Sequence, residues 1–203
     1  MASYKLTYFN LTGLGEPIRF LMVYGGMKFE DCRIELEDWP KIKPNALFGQ
    51  LPILEFEGKQ INQSKAICRY LAKKVKLDGK TDWEDLEIDA IVDCINDLRF
   101  KLADYFWETD EQVKSKRKVT VFDQTLPFYL ERFENIAKEN EGHLALKRLT
   151  WADIYFVAIL DYLSFLTEGD IIKNYPHLNS VKNNVLNIPK IKEWVAKRPK
   201  LLF

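Results

Sequence analysis

The chain of 203 residues contains few of the residues that build disulfide frameworks. Its three cysteines are Cys32, Cys68 and Cys94, and no two of them lie within four residues of each other. This spacing excludes a disulfide-rich scaffold, a CxxC redox motif and a cysteine-rich zinc site. Because the first residues also lack a long apolar leader, we expect a cytoplasmic protein with reduced thiols.

Histidine is equally scarce, since His143 and His177 are the only two in the chain. They lie far apart in sequence, which argues against a histidine metal site and against a serine–histidine–aspartate triad. Asp93, Asn96 and Asp97 share one face of a predicted helix, and two carboxylates with an amide suit a divalent cation. The alternative is a solvated or interface surface, and we predict no bound metal.

An excess of charge and a long apolar run are both absent. Lysine plus arginine number 30 and aspartate plus glutamate number 30, so the net charge is zero at pH 7. A general nucleic-acid binder needs a basic excess, and a membrane-spanning helix needs about 18 consecutive apolar residues. We therefore expect neither nucleic acid nor membrane as a partner. The 47% hydrophobic and 13% aromatic residues instead indicate a globular protein with a sizeable core.

The first part of the sequence mixes strand and helix patterns, and residues 1–76 are predicted to form one domain. The order is β-α-β, an irregular link and then β-β-α, which is the thioredoxin-like order of elements. The predicted strands are residues 4–9, 29–36, 51–56 and 59–61, with one helix after Pro17 and another capped by Ser64.

From Trp83 onward the periods are helical, and residues 82–203 are predicted to form an all-α domain after a short polar linker. A first apolar stripe consists of Trp83, Leu86, Ile91, Ile95 and Leu98. Further helices are expected over 114–140, with a kink or break near Pro127, and over 189–197. Thr150 and Asp153 form a capping box that opens an apolar and hence buried central helix, 151–166. The predicted fold is an α/β thioredoxin-like N-terminal domain plus an all-α C-terminal helical domain.

Gly13-Leu14-Gly15 follows the first strand and precedes a helix, as a dinucleotide-binding loop does. The third glycine of that fingerprint would fall at Ile18, so the motif fails and a tight turn is the better interpretation. Ser64 is interpreted as a helix cap, although a helix N-terminus also presents free N–H groups to an anion.

Several motifs, taken in order, carry a family resemblance. The sequence resembles the cytosolic glutathione S-transferases over nearly all of its length. It is most similar to the sigma class, which includes invertebrate transferases, glutathione-dependent prostaglandin D synthases and lens S-crystallins. The motifs are Tyr8-Phe9, Glu16-Pro17-Ile18-Arg19, Asp38-Trp39, Phe48-Gly49-Gln50-Leu51-Pro52-Ile53-Leu54, Gln63-Ser64 with Ala66-Ile67 and Arg69-Tyr70-Leu71, and Leu149-Thr150-Trp151-Ala152-Asp153.

The resemblance implies a glutathione site. Tyr8 would donate its hydroxyl to the glutathione sulfur and favour the thiolate. Pro52 would be a cis proline, and the backbone of Leu51 would pair with the cysteinyl part of glutathione. The γ-glutamyl end would be held by Gln63 and Ser64, together with Asp97 from a partner subunit, which implies a homodimer. The glycyl end would be held by Trp39, Lys43 and Gln50.

The resemblance also implies an electrophile pocket between the domains. Its expected walls are Phe9, Gly13, Leu14, Arg99, Tyr105, Tyr155, Ile159 and Phe203, which are mostly apolar or aromatic. Arg99 has an alternative place at an interface or in solvent. Leu14 stands where some sigma-class members carry arginine, which counts against efficient prostaglandin isomerisation.

The implied function is detoxifying transfer of glutathione, a co-substrate, to hydrophobic electrophiles, with peroxidase activity on lipid hydroperoxides as a second activity. Two alternatives stay open: a glutathione-dependent prostaglandin D isomerase, and a non-catalytic binding or structural protein of the crystallin kind. A glutaredoxin-like oxidoreductase is excluded, because it needs a cysteine after the first strand and residues 10–15 contain none.

Overall fold

A computed structural model describes residues 3–199, so Phe203 lies outside the described residues. Within this range the chain forms four strands and nine helices. The strands are β1 (Tyr4–Phe9), β2 (Phe29–Ile34), β3 (Ile53–Phe56) and β4 (Lys59–Asn62). The helices are α1 (Glu16–Tyr24), α2 (Trp39–Ile42), α3 (Ser64–Val75), α4 (Asp82–Phe106), α5 (Glu111–Thr120), α6 (Leu126–Glu139), α7 (Trp151–Thr167), α8 (Pro176–Leu186) and α9 (Pro189–Lys197).

The four strands make one mixed sheet in the order β2-β1-β3-β4. β1 runs parallel to β2 and antiparallel to β3, and β3 pairs with β4 as a hairpin. Leu6 and Tyr8 are buried on the same face of β1, as the alternation of the sequence predicts. The predicted fold class, a thioredoxin-like domain followed by an all-α domain, is confirmed. The domain limits themselves, 1–76 and 82–203, stay a prediction.

α1 joins the two halves of the molecule, because it packs against both α3 and α7. Pro17 lies in its first turn, where the missing proline N–H has no helical partner to lose. Ile18, Leu21 and Met22 have no accessible surface. The turn between β1 and α1 is consequently held next to the helical domain.

The predicted capping box at the start of α7 is confirmed. The Asp153 carboxylate accepts hydrogen bonds from the backbone N–H groups of Thr150, at 2.8 Å, and Leu144, at 2.7 Å. All residues from 151 to 160 are buried. α7 is therefore the central helix of the core, as its apolar sequence predicts.

The apolar face of α4 differs from the predicted stripe. Trp83 and Leu86 are 68% and 55% exposed, whereas Ile88 and Val92 are fully buried. The predicted stripe contains a five-residue step from 86 to 91, which turns away from a single helix face. Residues 88, 92, 95 and 102 follow the true repeat.

The expected interruption near Pro127 is confirmed. α5 and α6 are joined by one π-helical turn, Val121–Thr125, and Pro127 lies in the first turn of α6. Because proline has no N–H, it cannot continue a regular helical hydrogen-bond ladder.

A ladder of ion pairs fixes α3 against α4, and its members repeat every four residues along both helices. The pairs are Lys65–Asp93, Arg69–Asp89 and Lys73–Asp85. The two helices run antiparallel here, since the residue numbers of the basic partners on α3 increase as those of the acidic partners on α4 decrease.

Candidate active site

Tyr8 lies near the carboxyl end of β1, where the chain leaves the sheet and turns toward α1. Its side chain is only 6% exposed. The backbone N–H of Leu14 donates a hydrogen bond of 3.0 Å to the Tyr8 hydroxyl oxygen. Since the oxygen accepts this bond, the phenolic hydrogen remains available to another acceptor.

Burial raises the pKa of Tyr8 to about 12, and the Leu14 N–H opposes part of that rise. Tyr162 raises the pKa further, whereas the guanidinium groups of Arg19 and Arg99 lower it. Tyr8 is therefore a protonated hydrogen-bond donor at neutral pH.

The glycines of the turn make room for the Tyr8 ring. A Cβ atom on Gly13 would lie 2.7 Å from the Tyr8 hydroxyl oxygen, and one on Gly15 would lie 2.5 Å from Cδ1 of the ring. Gly13 also has a φ of +42°, which disfavours any larger residue. The turn interpretation of Gly13-Leu14-Gly15 is confirmed, and its purpose is close approach to Tyr8.

A second group of expected ligands lies around the start of α3. The Leu51–Pro52 peptide bond is cis, as the resemblance implies. The Gln63 side-chain amide donates to the Gln50 side-chain oxygen at 3.1 Å, so these two residues are brought together. Gln63 occupies the N-cap position with a φ of +77°, and Ser64 is the first helical residue. The prediction that Ser64 caps the helix is thus wrong by one residue.

Among the described residues, no side chain caps the start of α3. Its first backbone N–H groups therefore remain free, and the positive end of the helix dipole lies at Gln63 and Ser64. This arrangement suits a carboxylate ligand.

Aromatic contacts connect Tyr8 to α2. The Phe9 ring meets both the Tyr8 ring and the Trp39 ring edge to face, with centroids 5.5 Å apart in each pair. Lys43 lies exposed in the turn after α2, and its side chain passes Gly49, next to Gln50. Of the residues expected at the glycyl end, Trp39 thus contacts Phe9, and Lys43 lies beside the residue that precedes Gln50.

Asp97 is exposed on α4. Within residues 3–199, no hydrogen bond or ion pair joins it to Gln63 or Ser64. Burial raises the pKa of Cys94 and of Tyr129, and the negative charge of Asp97 raises both further. Its position on the outside of the chain is compatible with a role in a second subunit's site.

A cleft of about 460 Å³ opens beside α4. Arg99 and Tyr162 line it, and the same two residues affect the pKa of Tyr8. Arg99 is only 7% exposed, which argues against its alternative place in solvent. The complete lining is Arg99, Phe100, Ala103, Asp104, Trp107, Glu108, Arg117 and Tyr162.

Of the expected pocket residues that the structure describes, Arg99 alone lines the cleft. Phe9, Gly13 and Leu14 lie at the end of β1 and in the turn after it, and the other three lie elsewhere. Tyr155 and Ile159 are fully buried, because α7 is surrounded on all sides, and they offer no surface to a ligand. Tyr105 packs edge to face on Phe122, about half a helical turn away from Ala103 and the cleft. Phe203 lies outside the described residues.

Sequence reasoning missed Phe100, Ala103 and Trp107, which line the cleft. Positions 99, 103 and 107 are four residues apart, so Ala103 and the C-cap residue Trp107 lie on the same side of α4 as Arg99. Once the register of α4 is known, the position of Arg99 predicts them. Tyr162 was missed because it lies one turn beyond the positions chosen on α7.

The fold and this site together define a protein with a thioredoxin-like domain, whose first strand carries a buried tyrosine, followed by a helical domain with a cleft beside α4. Residues 4–73 match the family model of the glutathione S-transferase N-terminal domain, and residues 96–198 match that of the glutathione S-transferase C-terminal domain. The chain belongs to the glutathione S-transferase family.

Individual relatives cover nearly the whole chain. A glutathione S-transferase of Anopheles gambiae is 49% identical over 98% of this chain and 98% of its own. Glutathione S-transferase 2 of Manduca sexta is 43% identical over 97% of each chain. The solved structure of prostaglandin synthase D of Nilaparvata lugens superposes with a TM-score of 0.94 and 48% identity, over 98% of this chain and all of its own.

Among residues 3–199, no helix is both long and apolar enough to cross a membrane.

Proposed function

We propose that the protein is a glutathione transferase in which Tyr8 stabilises the glutathione thiolate. The observation that carries this proposal is the Tyr8 hydroxyl, buried and protonated, with its oxygen already held by Leu14. A sulfur placed at this hydroxyl accepts its hydrogen bond, which favours the charged form of the sulfur. The thiol proton leaves to solvent, and the thiolate attacks an electrophile in the cleft.

The remaining residues hold the tripeptide. We assign the γ-glutamyl carboxylate to the uncapped start of α3, at Gln63 and Ser64, where free N–H groups suit an anion. Leu51 pairs its backbone with the cysteinyl part. We assign the glycyl carboxylate to Lys43, which has no ion pair within residues 3–199, beside Trp39 and Gln50.

The test is steady-state conjugation of glutathione to chlorodinitrobenzene. Tyr8→Phe should lower kcat/KM by about 100-fold, because one preorganised donor is lost. Tyr4→Phe removes a hydroxyl from the same strand, one that contacts Tyr70, and should leave the rate unchanged. A wild-type protein that binds glutathione without turnover would instead favour the non-catalytic, crystallin-like alternative. Lipid hydroperoxides tested in the same assay would reveal the peroxidase activity.

A second candidate is glutathione-dependent isomerisation of a prostaglandin endoperoxide. It is favoured by the 48% identity to the Nilaparvata lugens structure described as a prostaglandin synthase. Formation of prostaglandin D from the endoperoxide, measured beside the conjugation rate, decides whether the same thiolate serves both reactions.

We also propose a homodimer. Asp97 is exposed, as a residue shared between subunits would be, and the α3–β4 face carries exposed Ile61 and Tyr70 beside an apolar groove. Light scattering should give twice the mass of the chain, and Asp97→Asn should weaken glutathione binding. A cytoplasmic location is proposed on the three unpaired cysteines.

A further inference from the structure

Arg99 is a buried cation without a carboxylate partner. Its Nε donates a 3.0 Å hydrogen bond to the neutral side chain of Asn96, and its guanidinium carbon lies 3.8 Å from the centroid of the Phe100 ring. Within residues 3–199, Arg99 forms no ion pair. A buried charge is costly unless an opposite charge or a polar ligand meets it.

Arg19 shows how the fold treats a comparable group. It too is buried, and it pairs with Glu16 at 3.1 Å and with Asp31 at 2.9 Å. The protein therefore supplies carboxylates to one buried arginine and leaves the other to face the cleft.

The other charged residues of the cleft are one arginine and two carboxylates, which pair with each other and together carry one negative charge in excess. Arg117 pairs with Asp104 at 3.3 Å and with Glu108 at 3.2 Å. Arg99 is thus the lining cation that forms no ion pair within residues 3–199, and beside it lie the exposed rings of Phe100 and Trp107. Two aromatic rings beside a cation that lacks an ion pair suit a ligand with an apolar body and an anionic group.

We propose that Arg99 makes the cleft selective for electrophiles that carry a carboxylate. This inference rests on the proposed transferase function and names the substrate class of that site. In the reaction, the glutathione sulfur forms a bond to the electrophilic carbon. With an aryl chloride the carbon–chlorine bond breaks and chloride leaves with the electron pair. The carboxylate is unchanged and stays paired with Arg99.

The test uses a matched pair of electrophiles, a chloronitrobenzoate and its methyl ester. Arg99→Met should lower kcat/KM for the benzoate by about 30-fold and for the ester by less than about 3-fold, because only the benzoate loses a charge-assisted contact. Arg99→Lys should retain most of the preference. Arg132→Met is the control, since Arg132 also stacks on a phenylalanine of its own helix, but on a surface outside the cleft. It should leave the ratio unchanged.

A measurement on the wild-type protein does not depend on how the variants fold. Nitrobenzoate should inhibit conjugation of the ester at a concentration at least about 10-fold lower than nitrobenzamide does. Glutathione affinity, measured by calorimetry, reports whether each variant is intact.

The proposal is overturned if Arg99→Met lowers kcat/KM equally for both electrophiles, because Arg99 then acts on the thiolate and not on the carboxylate of the electrophile. It is also overturned if the two inhibitors are equivalent. Failure of the proposed function looks different, since the wild-type protein would then conjugate neither electrophile.

Discussion

The backbone N–H of Leu14 donates a hydrogen bond of 3.0 Å to the hydroxyl oxygen of Tyr8. This contact holds the Tyr8 oxygen at the turn between β1 and α1. Because the oxygen acts there as an acceptor, the phenolic hydrogen remains free to be donated. The Leu14 N–H uses only the oxygen, so the phenolic hydrogen can be donated to a bound sulfur. The proposed stabilisation of a thiolate requires that the Tyr8 oxygen accepts one hydrogen bond while its hydrogen is donated in another.

Gly15 should tolerate no side chain. Gly15→Ala places a Cβ atom 2.5 Å from the Tyr8 ring, although the φ of −79° at this position suits alanine. The ring must move, and we expect kcat/KM to fall by about 100-fold, because a displacement of about 1 Å has that effect on a positioned group. Gly169→Ala is the control, since a Cβ there meets nothing within 4 Å. Equal activity in both variants would show that the turn does not position Tyr8.

Tyr8 should ionise only at high pH. Its pKa is raised from 10.0 to about 12, mainly by burial, so the folded protein retains this proton more strongly than the unfolded chain does. The resulting stabilisation is complete below pH 10 and is lost as the pH rises from 10 toward 12. The difference in phenolate absorbance between wild type and Tyr8→Phe should show no ionisation below pH 10. A component that titrates near neutral pH would contradict the assignment.

Arg198 pairs with one buried and one exposed carboxylate, so substitutions here compare how much each ion pair contributes to the free energy of unfolding. It lies 2.9 Å from the fully buried Glu16 and 2.6 Å from Asp161, which is 50% exposed. Arg198→Met should lower the free energy of unfolding by about 3 kcal/mol, because Glu16 stays buried with one partner fewer. Asp161→Asn should cost less than about 1 kcal/mol, since that pair is exposed to solvent. Urea unfolding measures both, and equal losses would refute the distinction.

The caps of α7 and α5 allow a similar comparison. Asp153 is buried and accepts two backbone N–H groups, so Asp153→Ala should cost about 3 kcal/mol of unfolding free energy. Asp110 caps α5 in solvent with bonds to Gln112 and Val113, and Asp110→Ala should cost about 1 kcal/mol. If the two losses measured in urea are the same, burial of the α7 cap contributes nothing.

Local patterns in the sequence predict much of this fold because their physical causes are local. Pro17, the Thr150–Asp153 capping box and the break near Pro127 each depend on hydrogen bonds within a few residues. The alternation in β1 predicts its buried face for the same reason. α8 was missed, although Leu178, Val181 and Val185 recur at helical spacing and are buried. Its N-cap residue supplies no side-chain hydrogen bond, and its first N–H groups instead donate to Glu134 of α6, so its start has no local signal in the sequence.

The cleft was harder to predict, because it depends on how helices of different register meet. Tyr155 and Ile159 share the aromatic or apolar character of a pocket wall, and only the packing around α7 shows that they are enclosed. Arg99 lines the cleft, but its lack of an ion pair within residues 3–199 emerges only when every nearby carboxylate is located. Residues around Tyr8 were easier, since they follow one another closely along the chain.

The most direct measurement of the central claim is a pH titration of the ultraviolet thiolate absorbance of bound glutathione, in wild type and Tyr8→Phe. A free thiol has a pKa of about 8.5. We predict a pKa at least about one unit lower for glutathione bound to the wild-type protein, and a return toward the free value in Tyr8→Phe. A bound thiol whose pKa is unmoved in the wild type, or is lowered equally in both proteins, would contradict the role assigned to Tyr8.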